Sequence, residues 1–191
     1  MAEEPDLDAR RRRFETEAVP HLDALYRSAK HWCRNGSDAE DLVQETMVRA
    51  WRFFDRYEPG TNCKAWLFRI LTNTRINAHH RAGRRPAEAD SDAIESLAAP
   101  APGEILDAPS RGEIAVFAHL LDDEMKAALE SLPEPFRIVL VLAVVEGFSY
   151  KEIAAMLEVP IGTVMSRLFR ARRLLQAALR PYARQHGWEP Q

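Results

Sequence analysis

The sequence predicts an all-α fold with two small helical domains joined by a flexible acidic linker. In both halves of the 191-residue chain, apolar side chains recur three and four residues apart, which is the spacing of an amphipathic helix. Between these halves, residues 87–112 are rich in acidic side chains and proline, with little apolar periodicity. Such a segment cannot bury enough apolar surface to pack as a domain. We therefore expect domains at 1–86 and 113–191, with a linker at 87–112.

The first predicted helix follows a run of arginines at 10–13, which we interpret as a solvated helix start. Its apolar positions are Phe14, Leu22, Leu25, Tyr26 and Ala29.

A long second helix is predicted after the turn Asn35-Gly36. Ser37 and Glu40 have the spacing of a capping box, which predicts where the helix begins. The opposite side is polar and carries Asp41, Gln44, Glu45, Arg49 and Arg52. Such a row is usually only a solvated face. The predicted buried side consists of Leu42, Val43, Thr46, Ala50, Phe53, Phe54 and Tyr57.

Pro59 and Gly60 end this helix, and either Thr61 or Asn62 is predicted to cap a third helix that starts near Lys64. The third helix, 64–81, mixes apolar residues with Arg69, Asn73 and further basic side chains. A basic helix bearing amides beside a polar loop suits single-stranded nucleic acid, whose unstacked bases are held by rings and amides. A basic helix end can also serve only the helix dipole.

The C-terminal half predicts a helix-turn-helix, the layout that places a second helix in the major groove. Ser149 and Glu152 form a capping box for the first helix of the pair, and the turn spans 158–160. Pro160 then opens the second helix. One side of that helix is apolar, and the other is free to meet DNA bases and phosphates. The DNA-facing residues are Thr163, Ser166, Phe169, Arg170 and Arg173.

The net charge of -3 does not argue against DNA binding, because phosphate contact needs a local basic surface and not an overall positive charge. Residues 160–188 contain arginines and no acidic side chain, whereas 87–112 contain acids and the lone Arg111. The basic stretch therefore coincides with the predicted recognition helix.

Several other classes of protein are disfavoured by the sequence. No segment is predicted to span a membrane and the acidic N-terminus is not a secretory signal, so we expect a cytoplasmic protein. Cys33 and Cys63 form no CxxC, which favours reduced packing residues; with His31, His79 and His80 they lack the spacing of a metal site. The sequence lacks a Gly-rich phosphate loop and a nucleophile motif, so we expect neither an enzyme nor a cofactor.

Three segments resemble the signature segments of the extracytoplasmic-function (ECF) sigma factors, in the right order along the chain. They are DAEDLVQETMVRAW (38–51), KAWLFRILTNT (64–74) and GTVMSRLFRAR (162–172). The resemblance implies sigma domains two and four joined by a linker. It also implies a dissociable, non-catalytic subunit that directs bacterial RNA polymerase to promoters and helps to open the duplex.

The resemblance also implies roles for individual residues. Asp41, Gln44 and Glu45 would dock on the clamp coiled coil of the polymerase largest subunit, and the C-terminal domain would lie near the flap. The DNA-facing residues named above would contact the minus-thirty-five element together with Arg167, with Arg167 and Arg173 on phosphates. The residues that would capture bases of the minus-ten element are Tyr57, Asn62, Cys63, Lys64, Arg69 and Asn73.

Residues 61–74 are also similar to the branch of this family held by zinc-containing, redox-responsive anti-sigma factors. This similarity implies that any sensor metal and reactive thiols belong to the partner. The linker is implied to thread toward the catalytic cleft and the RNA exit path of polymerase, and a plain flexible spacer is the alternative.

A stand-alone helix-turn-helix regulator remains the rival interpretation. It would bind specific duplex DNA unaided and would usually carry a ligand or receiver domain. The first half of the chain does not show the alternating strands and helices of a receiver.

Overall fold

The computed structural model describes residues 7–81 and 123–185, with side-chain surroundings for 7–78 and 126–181. Contacts divide the chain into two compact units, Met1–Ala78 (unit 1) and His79–Gln191 (unit 2). Within the described ranges every regular element is helical and no strand is present, which confirms the all-α prediction. The predicted linker, 87–112, lies outside the described residues.

Unit 1 is built from helices joined by short turns. Two 3-10 turns, Val19–His21 and Phe54–Arg56, connect neighbouring helices. The helices are α1 (Leu7–Glu17), α2 (Leu22–Trp32), α3 (Gly36–Arg52) and α4 (Cys63–Arg81).

The core of unit 1 forms where α2 packs against α3. Thr46 is one of the buried polar residues of unit 1, and its hydroxyl donates to the Leu42 carbonyl at 2.7 Å, so burial leaves the donor satisfied. Cys33 and Cys63 are both buried, as expected of packing residues. The apolar side chains buried by α2 and α3 are Leu25, Ala29, Trp32, Ala39, Leu42, Val43 and Ala50.

Asn35, rather than Ser37, caps α3. The Asn35 side chain accepts a hydrogen bond from the Asp38 backbone N–H at 2.8 Å, and α3 begins at Gly36. The predicted capping box of Ser37 and Glu40 is therefore wrong, since Ser37 already lies inside the first turn. Asn35 has the extended backbone of an N-cap residue and a short side-chain acceptor, so it satisfies the orphan donor first.

The end of α3 departs from the predicted apolar stripe. Phe53 is 38% exposed, although the helical spacing predicted it to be buried. The helix ends at Arg52, and the 3-10 turn that follows has a tighter repeat. The turn buries Phe54 and Tyr57 and leaves Phe53 outside. Leu22, 39% exposed, is a similar error where the first predicted helix is broken by Val19–His21.

Arg10 is the exception to the predicted solvated arginine run, since Arg11, Arg12 and Arg13 are exposed. The side chain of Arg10 is only 18% exposed and makes an ion pair with Asp55 at 3.1 Å. Arg11, in contrast, is exposed and pairs with Glu15 one turn along the same helix. Arginines at neighbouring positions point to different sides of a helix, so one of them meets the domain while the next remains in solvent.

Unit 2 places its predicted helix-turn-helix on a small apolar core. A π-helical stretch, Val141–Val145, extends the second helix of the unit, and its first four residues are buried. The helices are α5 (Asp123–Ser131), α6 (Glu134–Leu140), α7 (Tyr150–Leu157) and α8 (Ile161–Gln185). Helix α8 packs against α5, α6 and α7, so the whole unit supports the predicted recognition helix.

The helix-turn-helix caps follow the sequence prediction. The Glu152 carboxylate accepts from the Ser149 backbone N–H at 2.8 Å, and the Ser149 hydroxyl oxygen accepts from the Glu152 backbone N–H at 3.3 Å. Glu158 ends α7 in the left-handed conformation (φ 55°). Pro160 stands one residue before α8, and its carbonyl accepts from Thr163 and Val164. The turn at 158–160 is therefore confirmed.

Candidate nucleic-acid and polymerase interfaces

The predicted polymerase-binding residues lie on the outer side of α3. Asp41, Gln44 and Glu45 are all exposed, on the side of the helix opposite the core. Glu45 accepts a hydrogen bond from Arg49 at 2.7 Å, a surface pair of the kind that contributes little to stability. Val48, 53% exposed, continues the same side. Sequence reasoning missed this apolar residue, although its position one turn after Gln44 could have shown it.

The loop at 57–63 is held closed by its own hydrogen bonds. The Tyr57 hydroxyl donates to the Thr61 carbonyl at 2.9 Å, and the Thr61 hydroxyl donates to the Glu58 carbonyl at 2.7 Å. Gly60 adopts φ +82°, a conformation that L side chains rarely take. The loop therefore has a defined shape.

Two predicted minus-ten residues of this loop are buried rather than exposed. Tyr57 is 4% exposed and Cys63 is 7% exposed. Burial raises the pKa of the Cys63 thiol to about 11, with a smaller contribution from the nearby Glu17 carboxylate. Both side chains therefore form the inner wall of the loop, and the surface is left to their neighbours.

Asn62, Arg69 and Asn73 lie along one side of the start of α4. Their spacing of seven and four residues brings them within one narrow stripe of the helix. Asn62 and Arg69 are exposed, and Asn73 is half-buried. The Asn62 side-chain oxygen also accepts from the Ala65 backbone N–H at 3.1 Å, so Asn62 is the cap of the helix. Lys64 lies on another side, with its ammonium 5.7 Å from the Phe68 ring centre.

An aromatic cluster beneath the loop was not predicted as a unit. Phe54 and Tyr57 are stacked with ring centres 5.7 Å apart, and Tyr57 contacts Trp66 of α4 at 5.2 Å. Phe14 of α1 meets the edges of Trp51 and Phe54 at 5.3 and 5.1 Å. The signal in the sequence was the spacing of three residues between the aromatic positions 51, 54 and 57. These rings connect α1, α3 and α4 behind the loop.

Helix α8 separates a buried side from a candidate DNA-facing side, as predicted. Val164, Leu168, Ala171 and Leu175 are buried. On the other side Arg173 is exposed, and its guanidinium lies 5.8 Å from the Phe169 ring centre. The half-buried residues on this side are Thr163, Ser166, Arg167, Phe169 and Arg170. All six predicted residues therefore share the outward side of one helix.

Two of these side chains are already engaged with the protein. The Ser166 hydroxyl donates to the Thr163 carbonyl at 3.1 Å, which leaves its oxygen lone pairs as acceptors for a base amino group. Burial lowers the pKa of Arg167, because its guanidinium lies partly out of water against the helix bundle. Met156 of α7 is also buried, and the sequence analysis did not single it out.

Comparisons with known proteins place these surfaces in a family context. Residues 19–85 match Sigma-70 region 2, and residues 122–175 match Sigma-70 region 4. An ECF RNA polymerase sigma-E factor of Salmonella typhimurium is 37% identical over 147 residues, covering 77% of this chain and 76% of that protein. The chain is an ECF sigma factor. It is thus a non-catalytic, DNA-binding subunit that gives RNA polymerase its specificity in transcription initiation.

Further relatives agree with this assignment. The ECF sigma factor SigE of Mycolicibacterium smegmatis is 40% identical over 169 residues, which is 88% of this sigma factor, although the chain spans only 61% of that relative's length. A crystallised RpoE from Bartonella quintana, in complex with the anti-sigma factor NepR, matches with a TM-score of 0.63 and 34% identity. It covers 87% of this chain, and 96% of RpoE is covered.

None of the helices in 7–81 and 123–185 is long and apolar enough to cross a bilayer. Within the same residues, no group of three or more His, Cys, Asp or Glu side chains is placed to hold a metal ion.

Proposed function

We propose that this sigma factor binds core RNA polymerase through unit 1 and reads both promoter elements, one with each unit. The observation that carries the proposal is the presence, in one chain, of a region 2 unit and a region 4 helix-turn-helix with an arginine-bearing outer side. A cytoplasmic location follows from this role, because the polymerase and its template are cytoplasmic in bacteria.

The polymerase contact is assigned to the outer side of α3. Asp41, Gln44 and Glu45 supply acceptors and negative charge, which suit a partner surface with donors and positive charge. The partner that the family resemblance implies is the clamp coiled coil of the largest subunit. The exposed Val48 adds apolar area within this polar row, as interface centres commonly do. Unit 2 would lie near the polymerase flap, and the proposed domain limits remain 1–86, 87–112 and 113–191.

The minus-ten element is assigned to the loop 57–63 and the stripe on α4. Asn62, Arg69 and Asn73 offer amides and a guanidinium on one line, where an unstacked base can be held by hydrogen bonds. Tyr57 and Cys63 contribute by shaping the loop from inside, since both are buried. Binding of unpaired bases offsets the stacking lost on opening, so strand separation needs no catalytic chemistry from this chain.

The minus-thirty-five element is assigned to α8. Arg170 and Ser166 lie at the centre of its outer side, where donors and acceptors reach base edges in the major groove. Arg167 and Arg173 flank them and suit phosphates. Thr163 and Phe169 complete this surface with a hydroxyl and an apolar ring edge.

Control by an anti-sigma factor is the remaining part of the proposal. Two structurally similar sigma factors were solved with such partners: RpoE with NepR, and CnrH with the cytosolic domain of CnrY. CnrH matches this chain with a TM-score of 0.59 and 28% identity. The similarity of residues 61–74 to one branch of the family supports a zinc-containing partner that carries the reactive thiols.

The test is transcription in a purified system. The chain is mixed with bacterial core polymerase and a genomic fragment library, and the transcripts that require the chain are sequenced. Start sites that share two spaced upstream motifs are the expected result and provide the promoter. Absence of polymerase binding and of new starts would overturn the proposal, and specific duplex binding by the chain alone would favour the stand-alone regulator.

A further inference from the structure

Helix α1 precedes the segment that matches region 2, and it packs on the residues that lead into the minus-ten loop. The region 2 match begins at residue 19, whereas α1 spans Leu7–Glu17. Its contacts are made by one side of the helix, with Arg10, Arg13 and Phe14 directed at the end of α3 and the turn that follows.

Arg10 makes three contacts at the end of α3. Its guanidinium donates to the Trp51 carbonyl at 2.6 Å, forms the ion pair with Asp55, and lies 4.5 Å from the Trp51 ring centre. The last carbonyls of a helix lack partners within the helix and carry partial negative charge, so a cation there is favourable. Arg10 therefore holds the point where α3 ends and the 3-10 turn begins.

Phe14 and Arg13 both contact Phe54, which lies in the 3-10 turn after α3. Phe14 presents its ring edge-on to Phe54 at 5.1 Å, and the Arg13 guanidinium lies 4.6 Å from the centre of the same ring. Phe54 is only 1% exposed, so its ring has little freedom to move without displacing α1.

Phe54 connects α1 to the loop at 57–63 through its contact with Tyr57. It stacks on Tyr57, which contacts Trp66 of α4 and donates its hydroxyl to the Thr61 carbonyl. A continuous set of contacts therefore runs from α1 to both ends of the loop. The outer loop residue Asn62 directly follows Thr61.

We propose that α1 is a positioning element for minus-ten recognition: Arg10 and Phe14 fix the aromatic cluster, and the cluster holds the loop in its base-capturing shape. The inference rests on the proposed function of the loop. Arg10 and Phe14 contact no DNA in this scheme. Their effect is on discrimination between bases, since a loop that moves loses the alignment of its hydrogen-bonding groups.

The test uses full-length chain, core polymerase and the promoter recovered by transcript mapping. Transcript yield is compared between the intact minus-ten element and single-base substitutions of it. We expect Arg10→Ala and Phe14→Leu to reduce this ratio by about fivefold, the effect of one partly buried contact. Core affinity and binding of the minus-thirty-five element should stay unchanged, because Arg10 and Phe14 contact Trp51, Phe54 and Asp55, none of which is assigned to polymerase or to that element.

Arg11→Ala is the matched control, since it removes an arginine from the exposed side of the same helix and should leave the ratio unchanged. Asp55→Asn removes only the ion pair with Arg10, at an exposed carboxylate. It should lower the ratio as Arg10→Ala does, and it keeps the test possible if Arg10→Ala folds poorly. Melting temperatures of all variants identify unfolding.

Asn62→Ala separates the two proposals. If folded Arg10→Ala and Asp55→Asn discriminate like the parent while Asn62→Ala does not, the positioning role of α1 is wrong and the loop assignment stands. If Asn62→Ala, Arg10→Ala and Asp55→Asn all retain the parental ratio, both the loop assignment and the inference are overturned.

Discussion

Cys63 shows how burial decides the chemistry of a single side chain. Its pKa is raised from 9.0 to about 11, so the folded thiol keeps its proton at neutral pH. The thiolate is the reactive form. The unfolded thiol ionises near pH 9.0 and the folded thiol near pH 11. The preference of the fold for the neutral thiol therefore contributes its full stability below pH 9.0, and this stability is lost as pH rises toward 11.

We expect Cys63 to resist alkylation in the folded chain. With Cys33→Ser as background, the rate constant with iodoacetamide at about pH 8 should be about a hundredfold lower than in urea, from the thiolate fraction alone. Mass spectrometry of quenched samples measures it. Cys33→Ser with Cys63→Ser should keep transcription and regulation, and a double variant blind to oxidants would show that the sensor thiols are in this chain.

Arg167 and Arg170 provide a second prediction at the level of single residues. Arg170→Ala should weaken binding to the minus-thirty-five element by about 1–3 kcal/mol through loss of a bidentate base contact, and Arg167→Ala should weaken it through loss of a phosphate contact. Holoenzyme binding to a labelled promoter fragment measures this change. Arg180→Ala, at an exposed position farther along α8, is the matched control. Unchanged transcription with both arginines replaced would contradict the assignment of the recognition helix.

At the level of elements, two substitutions at the start of α3 distinguish which residue caps the helix. Asn35→Ala should lower the free energy of unfolding of unit 1 by about 1 kcal/mol, because the Asp38 N–H loses its acceptor. Ser37→Ala should change it by less than about 0.5 kcal/mol, as for ordinary surface positions. Denaturant titration followed by circular dichroism measures both, and a larger loss from Ser37→Ala would restore the capping box predicted from the sequence.

The boundaries of helices were the least predictable part of the fold. The spacing of apolar residues correctly placed the buried side within α3 and α8, because every residue there follows the same helical repeat. It failed at Phe53, where the repeat changes to that of a 3-10 turn. The capping box at Ser149 was predictable because its partners are three residues apart, whereas at Asn35 two local acceptors competed.

For the whole molecule, the separation of charge along the chain leads to a prediction for the linker. The acids of 87–112 lie outside the described residues, and their role is inferred from charge and family resemblance. If the linker occupies the RNA path, neutralising its acidic side chains should weaken its binding in that path and reduce the amount of short abortive RNA. The changes are Glu to Gln at 88, 95 and 104 and Asp to Asn at 90, 92 and 107.

Gel analysis of abortive and full-length RNA measures this effect. Arg111→Gln makes the linker more negative by one unit, whereas neutralising the six acids makes it less negative by six units, and it serves as the control for substitution as such. An unchanged ratio of abortive to full-length RNA and an unchanged rate of promoter escape would leave the linker as a plain spacer.

The sequence alone determined the helical class, the helix-turn-helix and the outward side of α8, since helical spacing and caps are local properties. Only the tertiary structure decided that Tyr57 and Cys63 are buried and that Arg10 holds the end of α3. Arg10 and Trp51 are separated by 41 positions. Contacts over such a distance depend on how helices pack, and a pattern within one helix does not contain that information.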